Sequence, residues 1–187
     1  MVTTKIDQDL TVKNVQKAHL DLGGLFGLVG YAGTLAVQTP QPTAEQLGVV
    51  DITEAVQSFV NRAGVNLGTV VLYSKHTTCT LVINEQETFL MKDVAQFLNR
   101  LAPRDGFYLH NQFDIRTENM NADESPNGHA HCLAWLLGNH KIVPVLGGAM
   151  QLGTWQRIFI VELDSSRPRE IIVMVLGAGN PREGPTN

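Results

Sequence analysis

Three short segments of the sequence carry more reactive side chains than folding requires. They are His76-Thr77-Thr78, with Asn84-Glu85 at the far end of the strand that follows; His110 with Asp114; and Asn127-Gly128-His129-Ala130-His131. A histidine changes charge near neutrality and its neutral ring nitrogen binds metals, so it suits acid–base and ligand roles alike. Paired hydroxyls beside it can hold phosphate oxygens or orient water. A carboxylate such as Glu85 or Asp114 can fix the tautomer of a neighbouring imidazole or act as a base. The spacing of His129-x-His131 constrains these roles. Each helical residue turns about 100°, so two residues apart point about 200° apart. Both reach one metal only if the segment is extended or precedes the first helical turn, and Asn127-Gly128 makes a helix entry there plausible. Within a helix, His131 shares a face with Trp135, and His129 with Leu133 and Leu136, which favours a structural role for His129.

Plainer readings stand beside these. A histidine in a loop is more often a solvated polar residue than a ligand. Thr77 and Thr78 next to a strand are ordinary β formers. His-x-His alone is a weak metal signal beside H-E-x-x-H or a four-cysteine knuckle. His19 and His140 have no reactive neighbours in sequence and receive no role. No Walker loop, G-x-G-x-x-G or G-x-S-x-G occurs in the chain, which removes the common nucleotide, dinucleotide and serine-hydrolase readings.

The elements that must position these segments are legible from periodicity. Residues 38–46 (QTPQPTAEQ) form a surface loop. A helix follows, with Asp51 as cap, Glu54 three residues later, and Ile52, Val56, Phe59, Val60 and Ala63 at helical spacing; Gly64 ends it. Residues 69–73 and 79–83 are strand candidates that flank His76-Thr77-Thr78. A second helix spans 87–101, with Phe89, Leu90, Val94, Phe97, Leu98 and Leu101 as its apolar face and Pro103 as its stop. Residues 104–128 are polar and aperiodic, and a loop this long inside a domain is more often functional than accidental. A short helix over 130–137 ends at Gly138. Strands over 142–146 and 150–152 meet at Gly147-Gly148, a hairpin signal. Two more, 157–163 and 170–176, are joined by a polar turn through Ser165, Ser166 and Pro168. Strands and helices segregate rather than alternate as βαβ, which predicts an α+β fold with a largely antiparallel sheet.

Composition sets the broad limits. The chain has 187 residues, enough for one domain to bury a real core without disulfides. Lys and Arg number 14 against 18 Asp and Glu, and the resulting charge of -4 offers no basic footprint for nucleic acid. Cys79 and Cys132 lie inside expected elements and read as buried free thiols of a reducing compartment, so the expected location is cytoplasmic. Residues 22–37 are apolar and rich in glycine. They fall short of the roughly twenty residues that a membrane helix needs, and they read instead as a strand or loop packed on the domain.

Three motifs together resemble the YjbQ-like family. HTTCTLVINEQET resembles the family's H-T-T, apolar strand and N-E. NGHAHCLAWLLG resembles its N-x-x-x-H segment opening a helix that ends in L-x-G. LGTWQRIFIVELDSSRPREIIVMVLG resembles its L-G-T-W-Q signature with the I-x-x-x-E-x-D strand and the closing strand. The likeness covers residues 48–177 as the core of a single domain spanning 1–187, with 19–47 as a glycine-rich insertion. It implies an α+β fold with a small barrel-like, mostly antiparallel sheet and a few helices, assembled as a homotrimer. The implied activity is that of a secondary thiamine-phosphate synthase: weak joining of a hydroxymethylpyrimidine diphosphate to a thiazole phosphate, with loss of pyrophosphate. On the matched motifs, His76, Glu85 and His131 are the expected catalytic residues. Thr77, Thr78, Asn127 and Thr154 are expected to bind the phosphorylated substrate, and His76, His110 and His131 to hold a divalent metal, zinc or magnesium. Lys75, Arg104, Arg116 and Arg157 are candidate cations for a leaving diphosphate, though they form no obvious cradle. Two rivals remain at this point: a metal-dependent hydrolase of a phosphorylated metabolite, and a non-enzymatic trimeric binding protein. Trp155 in L-G-T-W-Q is expected to be a buried aromatic that anchors a strand.

Overall fold

The computed structural model describes residues 11–20 and 28–179. Nine strands and three α-helices follow in the order β1 (Thr11–Leu20), β2 (Leu28–Gln38), β3 (Gly48–Asp51), α1 (Thr53–Ala63), β4 (Val65–Ser74), β5 (Cys79–Glu85), α2 (Thr88–Leu101), α3 (Gly128–Leu137), β6 (His140–Leu146), β7 (Ala149–Met150), β8 (Gln156–Glu162) and β9 (Pro168–Gly179). All recorded strand pairs are antiparallel. The larger sheet, in the order β1-β2-β9-β4-β6-β7, curls into a half-barrel, and a smaller sheet has the order β3-β8-β5. This is the α+β, antiparallel architecture expected from the sequence.

Alternation along the strands explains how the two sheets stack. Successive strand residues point to opposite faces. On β8, Ile158 and Ile160 face a core shared with Leu35, Val70, Leu72, Val173 and Val175 of the larger sheet. Phe159 and Val161 face a second core built with Leu98, Ala102, Ala130 and Leu133 of the α2–α3 side. The small sheet is therefore a middle layer. It is buried on both sides, which is why its central strand reads IFIVE rather than alternating with polar residues. The helix α1 fills the first core with Val56, Phe59 and Val60, and the Phe59 ring meets Tyr31 edge-on at 5.9 Å between centroids.

The expected helix signals operate with small shifts. Asp51 stands one residue before the α1 cap position and accepts hydrogen bonds from the Thr53 amide (2.9 Å) and hydroxyl (2.7 Å). Gly64 ends α1 in the left-handed region at φ 68°. The Glu87 carboxylate caps α2 by accepting from the amides of Phe89 and Leu90. The hairpin between β6 and β7 turns on Gly147 and Gly148, at φ 61° and 78°.

Three expectations are corrected. Phe89, Phe97 and Leu101 are 71%, 51% and 51% exposed; the buried residues of α2 are Ala95 and Leu98, and Leu98 packs with Ala102, the residue after the helix, against Phe159 and Val161. Trp155 is 70% exposed rather than buried, since it lies in the turn before β8 and not in the strand. Cys132 is exposed on α3, whereas Cys79 is buried and free as expected. The glycine-rich segment takes the strand form of the two that were expected where it is described: β2 pairs with β9 over Leu28–Gln38, and residues 22–27 of that stretch lie outside the described residues. No helix among the described residues is long and apolar enough to cross a membrane.

Candidate functional site

Four segments meet at one end of the stacked sheets: the turn 75–78 between β4 and β5, the turn 165–167 between β8 and β9 with the start of β9, the long loop 104–127, and the start of α3. They enclose a polar cavity of about 990 Å³. Its strand wall carries Lys75, His76, Thr77, Thr78, Ser165, Arg167 and Arg169, and its loop wall carries His110, Arg116, Glu118, Asn119, Asn121, Asp123, Glu124, Ser125, Asn127 and His131.

The strand wall rests on a buried ion pair. Glu162 is fully buried and Arg169 is 5% exposed. Arg169 Nε and Nη2 each donate to a different Glu162 oxygen at 2.6 Å, the two-point geometry that makes arginine–carboxylate pairs specific. Glu162 also accepts from the Thr39 hydroxyl (3.0 Å) and the Asp164 amide (3.1 Å), so both oxygens are satisfied. Burial works against the Arg169 charge, but the hydrogen bonds and charge of Glu162 outweigh it and hold its pKa above the ordinary arginine value. From this base β9 grips the histidine turn. Arg169 Nη2 donates to Thr78 Oγ1 (3.0 Å), the Glu170 amide donates to His76 Nε2 (2.9 Å), and Lys75 pairs with the Glu170 carboxylate at 3.1 Å.

Arg116 organises the loop wall. It donates to the carbonyls of His110 (2.9 Å), Glu118 (3.2 Å) and Asn119 (2.9 Å), to His110 Nε2 (3.1 Å) and to both oxygens of Glu124 (2.8 and 2.9 Å). That pairing holds the Glu124 carboxyl below the usual carboxylate range. Asn111, in a single 3-10 turn at Leu109–Asn111, accepts from the amides of Asn127 (3.0 Å) and Gly128 (2.9 Å) and so caps α3 from a distance. Gly128 is required there: a Cβ would lie 2.6 Å from Tyr108 Cβ.

These contacts assign the histidine tautomers. Amide and guanidinium groups only donate, so His76 Nε2 and His110 Nε2 must both accept, and each ring carries its proton on Nδ1. His131 has no side-chain hydrogen-bond partner among the described residues and meets the His110 ring edge-on at 4.4 Å. Burial, and then the charge His110 would carry, lower the pKa of His131; burial, and then Arg169, lower that of His76. Both rings are thus neutral near pH 7. His129 points the other way, as the two-residue spacing requires. It is buried against Tyr108, with Arg104 Nη1 donating to its Nε2 at 3.0 Å, and it takes the structural role expected of it.

The structure brings together His76, Thr77, Thr78, His110, Asn127 and His131 in one cavity. It does not bring Glu85 or Thr154 there. Glu85 pairs with Gln156 at the far end of β5, and six residues at about 3.3 Å each carry it about 20 Å from the Cys79 end. Thr154 lies in the exposed turn beside it. Asp114 is exposed and outside the cavity lining. Nor do the histidines form the expected metal set. Nε2 of His76 and of His110 is already hydrogen-bonded, and no group of three or more His, Cys, Asp or Glu side chains with metal-holding geometry occurs among the described residues. Of the candidate cations, Lys75 and Arg116 line the cavity, Arg104 braces His129 and the carbonyls of Leu163 and Asp164, and Arg157 pairs with Asp51 at the opposite end. Glu162, Arg167 and Arg169 were not singled out from sequence. Their signal was parity: Glu162 follows Ile158 and Ile160 on the core-facing side, and Arg169 precedes Ile171, Val173 and Val175 on theirs, so two charges were bound to meet inside.

A family profile described as "UPF0047 protein YjbQ-like" matches residues 37–178. A UPF0047 protein of Archaeoglobus fulgidus is 41% identical over 134 residues, which are 72% of this chain and 95% of that protein. One of Methanothermobacter thermautotrophicus is 38% identical over 140 residues, 75% of this chain and 90% of that protein. Among solved structures, a YbjQ-like protein of unknown function from Sulfolobus solfataricus superposes with a TM-score of 0.70 at 33% identity, covering 80% of this chain and 99% of its own. A hypothetical protein from Aeropyrum pernix does so with a TM-score of 0.66 at 34% identity, covering 78% and 98%. The motifs quoted from the sequence, the antiparallel half-barrel and these likenesses agree: the chain belongs to the UPF0047 family of YjbQ-like proteins.

Proposed function

We propose that the cavity binds a small phosphorylated metabolite and that His131 is its acid–base group. The reaction is a thiamine-phosphate synthase-like transfer, in which a ring nitrogen of a thiazole phosphate attacks the exocyclic carbon of a pyrimidine diphosphate. The C–O bond to pyrophosphate breaks as the C–N bond forms, and the protonated form of His131 passes its proton to the departing pyrophosphate. The observation that carries the reading is the convergence of His76, Thr77, Thr78, His110, Asn127 and His131 in one polar cavity beside Arg167 and Arg169. Of the three cavity histidines, only His131 has both ring nitrogens free of protein hydrogen bonds among the described residues, so only it can take up or release a proton without breaking one. His76 and His110, fixed as Nδ1–H tautomers, act as donors to a substrate rather than as bases. Arg169 and Thr78 supply donors for charge on phosphate oxygens, the stabilisation a departing pyrophosphate needs.

The experiment is turnover of the two substrates to thiamine phosphate by the purified protein and by His131→Ala, with folding followed by circular dichroism. Loss of product formation in a folded variant is the expected result. Wild-type turnover retained in His131→Ala refutes the assignment, and release of phosphate from either substrate alone favours the hydrolase reading.

The homotrimer belongs to the same proposal. The outer face of the larger sheet presents Leu67, Tyr73, Ile142, Leu146 and Leu176, each 42–59% exposed, while the opposite faces of β4, β6 and β9 line the core. A sheet apolar on both faces is covered on both, and copies of this chain supply the matching surface.

A further inference from the structure

The two walls of the cavity differ in charge. The strand wall presents Lys75, Arg167 and Arg169, whose partners Glu170, Asp164 and Glu162 stand behind them and do not line the cavity; the loop wall presents Glu118, Asp123 and Glu124 against Arg116, which pairs with Glu124. Arg169 is the best prepared of the cations. Its Nε and Nη2 are committed to Glu162 and Thr78, while among the described residues Nη1 donates to no protein atom and is not a buried unpaired atom, so it opens on the cavity. Because Thr78 Oγ1 accepts from Arg169, its own hydroxyl proton is left to donate, beside two N–H groups of Nη1. Glu162 fixes the guanidinium plane, so an incoming anion orders no side chain in order to bind.

We propose that the strand wall is a phosphoryl subsite anchored by Arg169 Nη1 and the Thr78 hydroxyl. The ligand class is a phosphate or diphosphate ester, seated with its anionic end on β9. The acidic loop wall repels that end, so the remainder of the ligand faces His110 and His131. This assignment rests on the reading of the cavity as the site of a phosphorylated metabolite, and adds which wall holds the phosphate.

The test titrates the full-length protein with inorganic pyrophosphate by isothermal calorimetry, with thermal melting to confirm folding. Wild type is compared with Arg169→Lys, Thr78→Val and Glu118→Gln. Arg169→Lys keeps a charge for Glu162 but has no third nitrogen, and Thr78→Val keeps the shape without the hydroxyl. Each is expected to weaken binding at least tenfold, the loss typical of a charge-assisted hydrogen bond. Glu118→Gln, on the opposite wall, leaves affinity unchanged or raises it. Wild-type affinity in both subsite variants overturns the anchor while leaving the phosphorylated ligand intact. A tenfold loss in Glu118→Gln overturns the orientation. Failure of wild type itself to bind pyrophosphate overturns the parent reading with it. If Arg169→Lys does not fold, Thr78→Val decides the matter alone.

Discussion

Replacing Arg116 by methionine isolates the stability of the loop wall from that of the fold. Its side chain bonds three main-chain carbonyls, those of His110, Glu118 and Asn119, besides His110 Nε2 and Glu124. A net intramolecular hydrogen bond is worth about 1 kcal/mol, so the three carbonyl bonds together stabilise the closed loop by about 3 kcal/mol. No residue between 103 and 126 belongs to either buried cluster, so little of this loss reaches the global unfolding equilibrium. At about 1.4 kcal/mol per decade, 3 kcal/mol raises the open population of the loop on the order of a hundredfold. Hydrogen exchange is the assay. Amides such as Ile115, Arg116 and Glu124, which bond to carbonyls of this loop, lose protection, while those of β4 and β9 keep it and the melting temperature stays within a few degrees. Unchanged protection at 115–124 refutes the claim that Arg116 holds the wall. Equal loss in the sheets refutes the claim that the wall is separable.

Two further outcomes follow from charge and from surface. His76, His129 and His131 all have pKa values lowered from 6.5, in each case by burial first, and then by Arg169, Arg104 and His110 respectively. Below 6.5 the unfolded chain therefore takes up protons that the native state refuses, so stability falls as pH drops through 6.5 toward the lower native values and is flat above it. Chemical denaturation between pH 5 and 8 checks this, and a stability that rises on acidification across that window contradicts the burial of these rings. On the outer sheet face, Ile142→Lys places a charge at a position 58% exposed in one chain. Sedimentation is expected to show the proposed trimer shifting toward monomer with an unchanged circular dichroism spectrum, and an unaltered sedimentation profile refutes this face as an assembly surface.

The sequence carried most of the fold because its elements have strong local signals. Asp51, Gly64, Pro103 and Gly147-Gly148 mark boundaries that the structure keeps within a residue or two. It misled where exposure depends on a neighbour rather than on the pattern. The apolar residues of α2 span two candidate faces, and the buried one carries Ala95 and Leu98, while the larger Phe89 and Phe97 are exposed. The site was half legible. Histidines and threonines stand out by type, and the H-T-T turn and the entry to α3 do meet in one cavity. Glu85 looked close to His76 because nine residues separate them, yet a strand carries those residues in a straight line away from the turn. Arg169, 93 residues from His76, reaches the turn only through sheet pairing, since β4 and β9 are neighbours with Ser74 opposite Ile171.

The two walls are held by different physics, and this decides how substitutions in the site should be read. The strand wall is continuous with the core. Its ion pair is buried, and removing one partner of a buried pair typically costs about 3–5 kcal/mol because the other charge is left uncompensated. His76 shares that wall through a main-chain amide at the start of β9, so its loss also leaves a donor of the sheet without a partner. The loop 104–126 supplies no residue to either core, and Arg116 and the capping Asn111 hold its cavity side in place. A loss of activity in His76→Ala therefore mixes chemistry with folding. His131 lies in the first turn of α3; its side chain makes no hydrogen bond among the described residues and meets the His110 ring edge-on, while Leu133 of the same helix is packed into the second core. The His131 side chain can be removed without opening either wall, so activity lost in His131→Ala reports on the reaction itself.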